Sequence, residues 1–196
     1  MRGPRGGDNR EPRFQDCLLV PPFGIVYWLT GLSGSGKTTL ATRLTEWLRG
    51  QSRSVLLLDG DELRATLDAA ALLAADDRRA LALCYARLCR LLAGQGADVV
   101  IATISLFREV HAWNRENLPG YVEILLDVPL AELRRRDPKG LYTRSSQGDS
   151  PNVAGVDLAI EMPTHPDIVI GACPGQTADM TFAELIEKLQ RRRACA

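Results

Sequence analysis

Residues 25–38 read "IVYWLTGLSGSGKT", and residues 31–38 of that run follow the spacing GxxxxGK[ST]. The run before the loop is apolar. After it, Leu40, Leu44 and Leu48 recur at helical spacing through residues 37–49. A buried strand that turns through glycines directly into a helix fixes where both elements must end, so no other stretch constrains the fold as strongly. The residue types have physical reasons. Gly31, Gly34 and Gly36 carry no Cβ, so successive backbone N–H groups can turn toward one anion. The helix N-terminus adds a partial positive charge. Lys37 is placed to reach the β- and γ-phosphates of a nucleotide, and the Thr38 hydroxyl to ligate Mg²⁺. The expected donor site is Gly31, Leu32, Ser33, Gly34, Ser35, Gly36, Lys37, Thr38 and Thr39, with ATP and Mg²⁺ as its cofactors.

The remaining chain alternates short apolar runs with helical patterns. "SVLLLDGD", "ADVVIATIS", "YVEILLDV" and "PDIVIGA" read as four further strands. Residues 77–94, a short stretch through Leu133 and the C-terminal segment read as helices, the last opened by Thr181 and Glu184 at capping-box spacing. Strands apolar on both faces and separated by helices predict a parallel sheet between helical layers. The expected fold class is α/β, a three-layer P-loop NTPase fold with a parallel five-stranded sheet. Residues 1–23 read as a flexible tail and 24–196 as one domain. Within it a polar, Gly/Ser-rich stretch makes residues 139–158 the lid segment.

Charge and cysteine content exclude several classes. Lys plus Arg number 24 and Asp plus Glu 24, a balance without the basic excess of a nucleic-acid footprint. The only apolar piece of the N-terminal stretch is "CLLV", so neither a signal peptide nor a membrane span is expected, and the location reads as cytoplasmic. Five cysteines without a CxxC pair read as free thiols, with Cys84 and Cys89 as small buried apolar residues. His111 and His165 lie far apart in sequence and read as ordinary exposed or capping residues, not metal ligands.

The second strand ends "LLLDGDELR", which puts Asp59, Asp61 and Arg64 at the carboxyl edge of the sheet, where ligands bind in such folds. A carboxylate there can hold Mg²⁺ or take the proton of an attacking hydroxyl. Structurally, Asp59-Gly60 also reads as a turn and Asp61 as a helix N-cap. No NKxD motif follows a later strand, as a GTPase would need, and a motor would need more chain. A phosphate loop, an acidic acceptor site and a lid add up to a small kinase. Residues 134–136, all arginine, read as either a phosphate clamp or a solvated helix end favoured by the helix dipole.

"GLSGSGKTTLA", "LDGDELR", the pair Asp77-Arg78, "ISLFR", "RDPKGLY" and "NVAGVD" together resemble the adenylylsulfate kinase family over roughly residues 25–170. The resemblance implies transfer of the γ-phosphoryl of ATP to the ribose 3′-hydroxyl of adenylylsulfate, in a homodimer. It implies Lys37, Asp61 and Lys139 as catalytic residues, with Lys139 a lid cation. It places Asp59, Arg64, Arg78, Ile104, Ser105, Phe107 and Leu141 at the acceptor nucleotide, and Thr38 with Asp59 at the metal.

Departures from the family pattern fall on base recognition. An aromatic expected before Asp77 is absent from "DAAALLAAD", and Val153 stands where the family has a second ring. The Asn expected three residues after Arg78 is Leu81, and Ser-Pro has become Ser105-Leu106. Base–aromatic stacking contributes roughly 1–3 kcal/mol, so adenine recognition is weakened unless Tyr85, Phe107 or Trp113 substitutes. "ISLFREVHAWNRENLPGYVE" is similar to a subgroup that acts on cytidine diphosphoramidate in surface-polysaccharide clusters. Adenylylsulfate and such a cytidine derivative therefore both stand as acceptors. A regulatory module that binds ATP without catalysis is a reading from a different class, opposed by the retained Asp61 and Lys139.

Overall fold

The chain was studied as a computed structural model that describes residues 22–69, 74–137, 140–146, 153–173 and 175–194. The first strand, β1 (Val26–Thr30), is buried along its whole length. Tyr27 and Leu29 face one core cluster, while Val26 and Trp28 face another. A strand with apolar neighbours on both faces needs a layer on each side. The layers are helical.

After β1 come α1 (Lys37–Arg49), β2 (Val55–Asp59), α2 (Gly60–Thr66), α3 (Ala75–Ala93) and β3 (Asp98–Ala102). The chain continues through α4 (Arg108–Asn117), β4 (Tyr121–Asp127), α5 (Leu130–Arg136), α6 (Leu141–Ser146), β5 (Ile168–Gly171) and α7 (Ala178–Ala194). The five strands form one sheet in the order β2-β3-β1-β4-β5, and every pairing is parallel. All five strands coincide with the apolar runs that predict them.

Leu40, Leu44 and Leu48 of α1 pack with Leu185 and Leu189 of α7 on one face. Tyr85, Ala86 and Cys89 of α3 pack with Val110 of α4 on the other. β1 sits between β3 and β4, so the chain leaves it in one direction and later passes to its far side. That reversal opens a crevice at the carboxyl ends of the strands, where the glycine loop emerges.

Four local expectations are corrected. Helix α7 starts at Ala178, where the Thr177 hydroxyl accepts from Met180 N at 3.2 Å; Thr181 lies inside the helix with its own hydroxyl on Thr177 O. A threonine four residues earlier was the better cap. Asp61 is not an N-cap: Asp59 caps α2 by accepting from Asp61 N at 2.8 Å. Cys84 is exposed while Cys89 is buried, because they fall on different faces of α3. His111 is neither exposed nor a cap. It is 6% exposed, with Nδ1 2.5 Å from Glu123 Oε1.

Candidate active site

The loop after β1 is shaped by its glycines. Gly31, Gly34 and Gly36 have φ of 147°, 77° and 95°. A Cβ on Gly31 would stand 2.6 Å from Leu126 O, and Gly36 begins α1 in a left-handed conformation without a side-chain cap. The first N–H groups of α1 are thus left to an external anion. Lys37 Nζ bends back to donate to Leu32 O at 2.7 Å, beside the space that a phosphate chain would fill. Ser35 Oγ is buried without a partner in the same loop.

At the end of β2, one carboxylate does two things. Asp59 Oδ1 accepts from Asp61 N at 2.8 Å, which fixes the plane of the group, and Oδ2 accepts from the Thr38 hydroxyl at 2.7 Å. A hydroxyl and a carboxylate oxygen side by side are hard donors suited to Mg²⁺, which completes its shell with water and phosphate oxygens. Lys37, Thr38, Asp59, Asp61, Arg64, Thr103, Ile104, Leu141 and Tyr142 line one cleft of about 370 Å³.

Behind that cleft lies a second, small cavity of about 40 Å³ bounded by Arg64, Arg78, Leu81, Tyr85, residues 103–107, Ala154 and residues 158–160. Its charge is unusual. Arg64 Nε and Arg78 Nε are both buried without a hydrogen-bond partner. Burial lowers the pKa of Arg78, the positive Arg64 lowers it further, and Asp157 only partly compensates. Two guanidinium groups held close at such a cost make a receptor for an anion. The roof is the chain through residues 154–161, tied down by Glu161 N to Leu106 O at 3.0 Å and by Arg108 N to Glu161 Oε2 at 2.8 Å. Arg64, Thr103 and Ile104 belong to both spaces, so the two meet there.

A third and larger cavity, of about 690 Å³, opens on the other side of the glycine loop. Ser35, Gly36, Thr39, Arg43, Arg135, Arg136 and Gln176 are among its walls. Arg135 and Arg136 are both bound to Glu132 and hold its carboxyl down to about 2.

Comparison with known proteins decides the family. The sequence profile described as adenylylsulphate kinase matches residues 23–171. This chain belongs to the adenylylsulphate kinase family. A cytidine diphosphoramidate kinase of Campylobacter jejuni is 39% identical over 151 residues, covering 76% of this chain and 86% of that protein. An adenylyl-sulfate kinase of Pseudomonas aeruginosa is 36% identical over 167 residues, covering 84% and 85%. Among solved structures, the APS kinase of Mycobacterium tuberculosis in complex with AMPPNP and APS superposes with a TM-score of 0.78 at 33% identity, covering 87% of this chain and 99% of that one.

In this member of the adenylylsulphate kinase family, the expected site residues mostly converge. Arg78, Ser105 and Phe107 line the arginine cavity, and Arg64 and Ile104 line both spaces. Leu32 does not line the cleft. It packs against Val128, Leu133, Tyr142 and Val153. Lys139 lies outside the described residues, as do residues 70–73 of the stretch that lacks the family's aromatic and residues 147–152 of the expected lid segment. Val153, which replaces a ring in the family pattern, is buried in the Leu32 cluster and does not line the arginine cavity. Of the three substitute aromatics, Tyr85 and Phe107 line that cavity and Trp113 does not: it borders a separate groove with Phe23 and Arg87.

Tyr142, Asp137 and Thr103 were missed. The Tyr142 hydroxyl donates to Ser33 O at 2.8 Å, pinning α6 to the phosphate loop. Asp137 accepts from Tyr142 N, Thr143 N and the Thr143 hydroxyl at 3.1, 2.9 and 2.7 Å. The signal for both was the "RDPKGLY" run itself. Thr103 sits inside an apolar run and offered no signal. Among the described residues no helix is long and apolar enough to cross a membrane, and no group of three or more His, Cys, Asp and Glu is placed to hold a metal.

Proposed function

We propose that this chain transfers the γ-phosphoryl group of ATP to the ribose 3′-hydroxyl of a nucleotide acceptor, with adenylylsulfate as the first reading. The carrying observation is the junction of the two spaces at Arg64, Thr103 and Ile104. A phosphoryl group held at the glycine loop abuts a hydroxyl held in the arginine cavity, in the arrangement that phosphoryl transfer by positioning requires.

The roles follow from chemistry. Backbone N–H groups of residues 31–39 hold the triphosphate, and Lys37 leaves Leu32 O for the β- and γ-oxygens. Asp61 takes the proton of the attacking hydroxyl as its oxygen bonds to phosphorus and the bond to the ADP oxygen breaks. Arg64 and Arg78 hold the anionic end of the acceptor. Thr38 and Asp59 hold Mg²⁺, which when bound offsets negative charge on the phosphates. Lys139 is assigned as the lid cation on the family pattern. Arg43, Arg135, Arg136 and Gln176 form the walls around the donor's base.

Incubation of the purified protein with Mg·ATP and adenylylsulfate tests this, with mass spectrometry of the nucleotides. The expected products are ADP and 3′-phosphoadenylylsulfate. An unchanged ATP pool with every nucleotide acceptor supplied would refute the reading and leave a module that binds ATP without catalysis.

A second acceptor, cytidine diphosphoramidate, is favoured by one observation. The acceptor cavity is small and walled by Leu81, Leu158 and Ile160, with rings only from Tyr85 and Phe107 among the described residues. A pyrimidine demands less opening of that space than a purine. The ratio of kcat/KM for the two acceptors decides between them.

A further inference from the structure

Thr103 follows β3 directly and is 6% exposed, yet its side chain lines both the phosphate cleft and the acceptor cavity. It is held from three directions. Its N–H donates to Leu29 O at 3.0 Å. The Gly60 backbone approaches so closely that a Cβ there would stand 3.1 Å from Thr103 Oγ1. Its hydroxyl lies 2.7 Å from Ser105 Oγ, either oxygen being able to donate.

Ser105 is itself held under strain for that contact. It has φ of 29°, in the left-handed region that non-glycine residues avoid, and it is 7% exposed. The distortion is fixed by Phe107 N donating to Ser105 O at 3.0 Å and by the Thr30 hydroxyl donating to Ile104 O. Strain kept at a buried hydroxyl beside two ligand spaces points to a ligand contact.

Counting protons identifies what is spare. The pair has two hydroxyl protons, and its mutual hydrogen bond uses one. Among the described residues no acceptor takes the other. The charged neighbours are already assigned: Arg64 and Arg78 face the anionic end of the acceptor, and Asp61 faces the attacking hydroxyl. A donor aimed at the attacking oxygen would also occupy a lone pair that the reaction needs. The spare proton therefore suits the neighbouring hydroxyl of the same sugar.

We propose that the Thr103–Ser105 pair holds the acceptor ribose by its 2′-hydroxyl, so that Thr103 makes the enzyme select ribonucleotide over 2′-deoxyribonucleotide acceptors. This rests on the 3′-phosphorylation reading above and adds a specificity-determining residue to it. The pair aligns the 3′-oxygen with the phosphoryl group through the adjacent carbon. An acceptor lacking the 2′-hydroxyl leaves the donor buried and unsatisfied, and sites built to bond a hydroxyl reject analogues without it strongly.

The test measures kcat/KM for adenylylsulfate and its 2′-deoxy counterpart with full-length wild type, Thr103→Val and Thr103→Ser; cytidine diphosphoramidate and its deoxy form serve if they are the better substrates. Wild type should favour the ribo acceptor roughly 10- to 100-fold. Thr103→Val should lose most of that ratio by slowing only on the ribo form, with the KM for ATP unchanged, and Thr103→Ser should restore it. Ser105→Ala, which removes the partner oxygen, should also lower the ratio and serves if Thr103→Val does not fold. A wild-type ratio retained in Thr103→Val, or in Ser105→Ala where that variant stands in, overturns the proposal, as does a raised KM for ATP, which would put the hydroxyl on the donor phosphate. A wild type that phosphorylates neither ribo acceptor overturns the parent reading and this one together.

Discussion

The Thr38 hydroxyl donates to Asp59 Oδ2 across 2.7 Å, joining the first turn of α1 to the carboxyl end of β2. Thr38 follows β1 and Asp59 ends β2, two strands separated in the sheet by β3, so only the packed fold brings them together. Asp59→Asn keeps a side-chain oxygen for capping α2 but loses the anionic ligand proposed for the metal. The Mg²⁺ concentration for half-maximal activity should rise about tenfold or more, with little change in thermal stability. Titration with Mg²⁺ and a melting curve separate the two effects.

Lys37 and Asp61 should fail differently. Lys37→Ala removes charge and positioning at the β- and γ-phosphates and should cut kcat by roughly 10²–10³. Asp61→Asn should leave ATP affinity intact while slowing turnover about a hundredfold. Equilibrium binding of a nonhydrolysable ATP analogue, set beside single-turnover rates, checks the pair. Wild-type turnover in either variant contradicts the assigned role.

Arg78 is a cation held beside another cation, its pKa lowered by burial and by Arg64. Arg78→Ala should raise the KM of the acceptor roughly tenfold or more and leave that of ATP unchanged. Because the variant also relieves repulsion in the free protein, its melting temperature should not fall. A lowered melting temperature with an unchanged acceptor KM would make Arg78 a structural residue.

The buried carboxylate of Glu123 should govern acid stability. Burial alone pushes its pKa up, but His111, Tyr121 and Arg115 together hold it below its ordinary value. Tyr121 OH and Arg115 each donate to it, at 2.9 and 2.8 Å. A carboxyl depressed in the folded state stabilises the protein above its unfolded pKa, and the gain is lost as pH falls through the folded value. Stability should therefore decline below about pH 4.5, the ordinary value for a glutamate. Glu123→Gln should flatten that decline and cost on the order of 3 kcal/mol at neutral pH, since it removes the buried carboxylate that accepts from Tyr121 and Arg115 and leaves Arg115 with the longer ion pair to Asp167 at 3.4 Å. Denaturant melts at several pH values measure both.

Much of this was legible because it is periodic or local. Residues 31–38 announce the phosphate loop through spacing alone, and Asp59, Asp61 and Arg64 follow a strand whose end the apolar pattern marks. Histidine and cysteine environments were not legible. His111 carries no local sign that Glu123, on β4, will meet it, and Cys84 and Cys89 differ only in which side of α3 the sheet covers. Val153 and Trp113 show the same limit: substitution at a family position says what was lost, and packing says whether the position ever faced the ligand.

The amino-acid order by itself determined the strands, the phosphate loop and the acidic edge, since these rest on side-chain periodicity and on the conformational freedom of glycine within a few residues. Only the tertiary structure decided which walls the phosphate cleft and the arginine cavity share. Arg64, Thr103 and Ile104 meet there because parallel strands distant in sequence end at one edge, and a hydroxyl inside an apolar run acquires meaning only from what the sheet sets beside it.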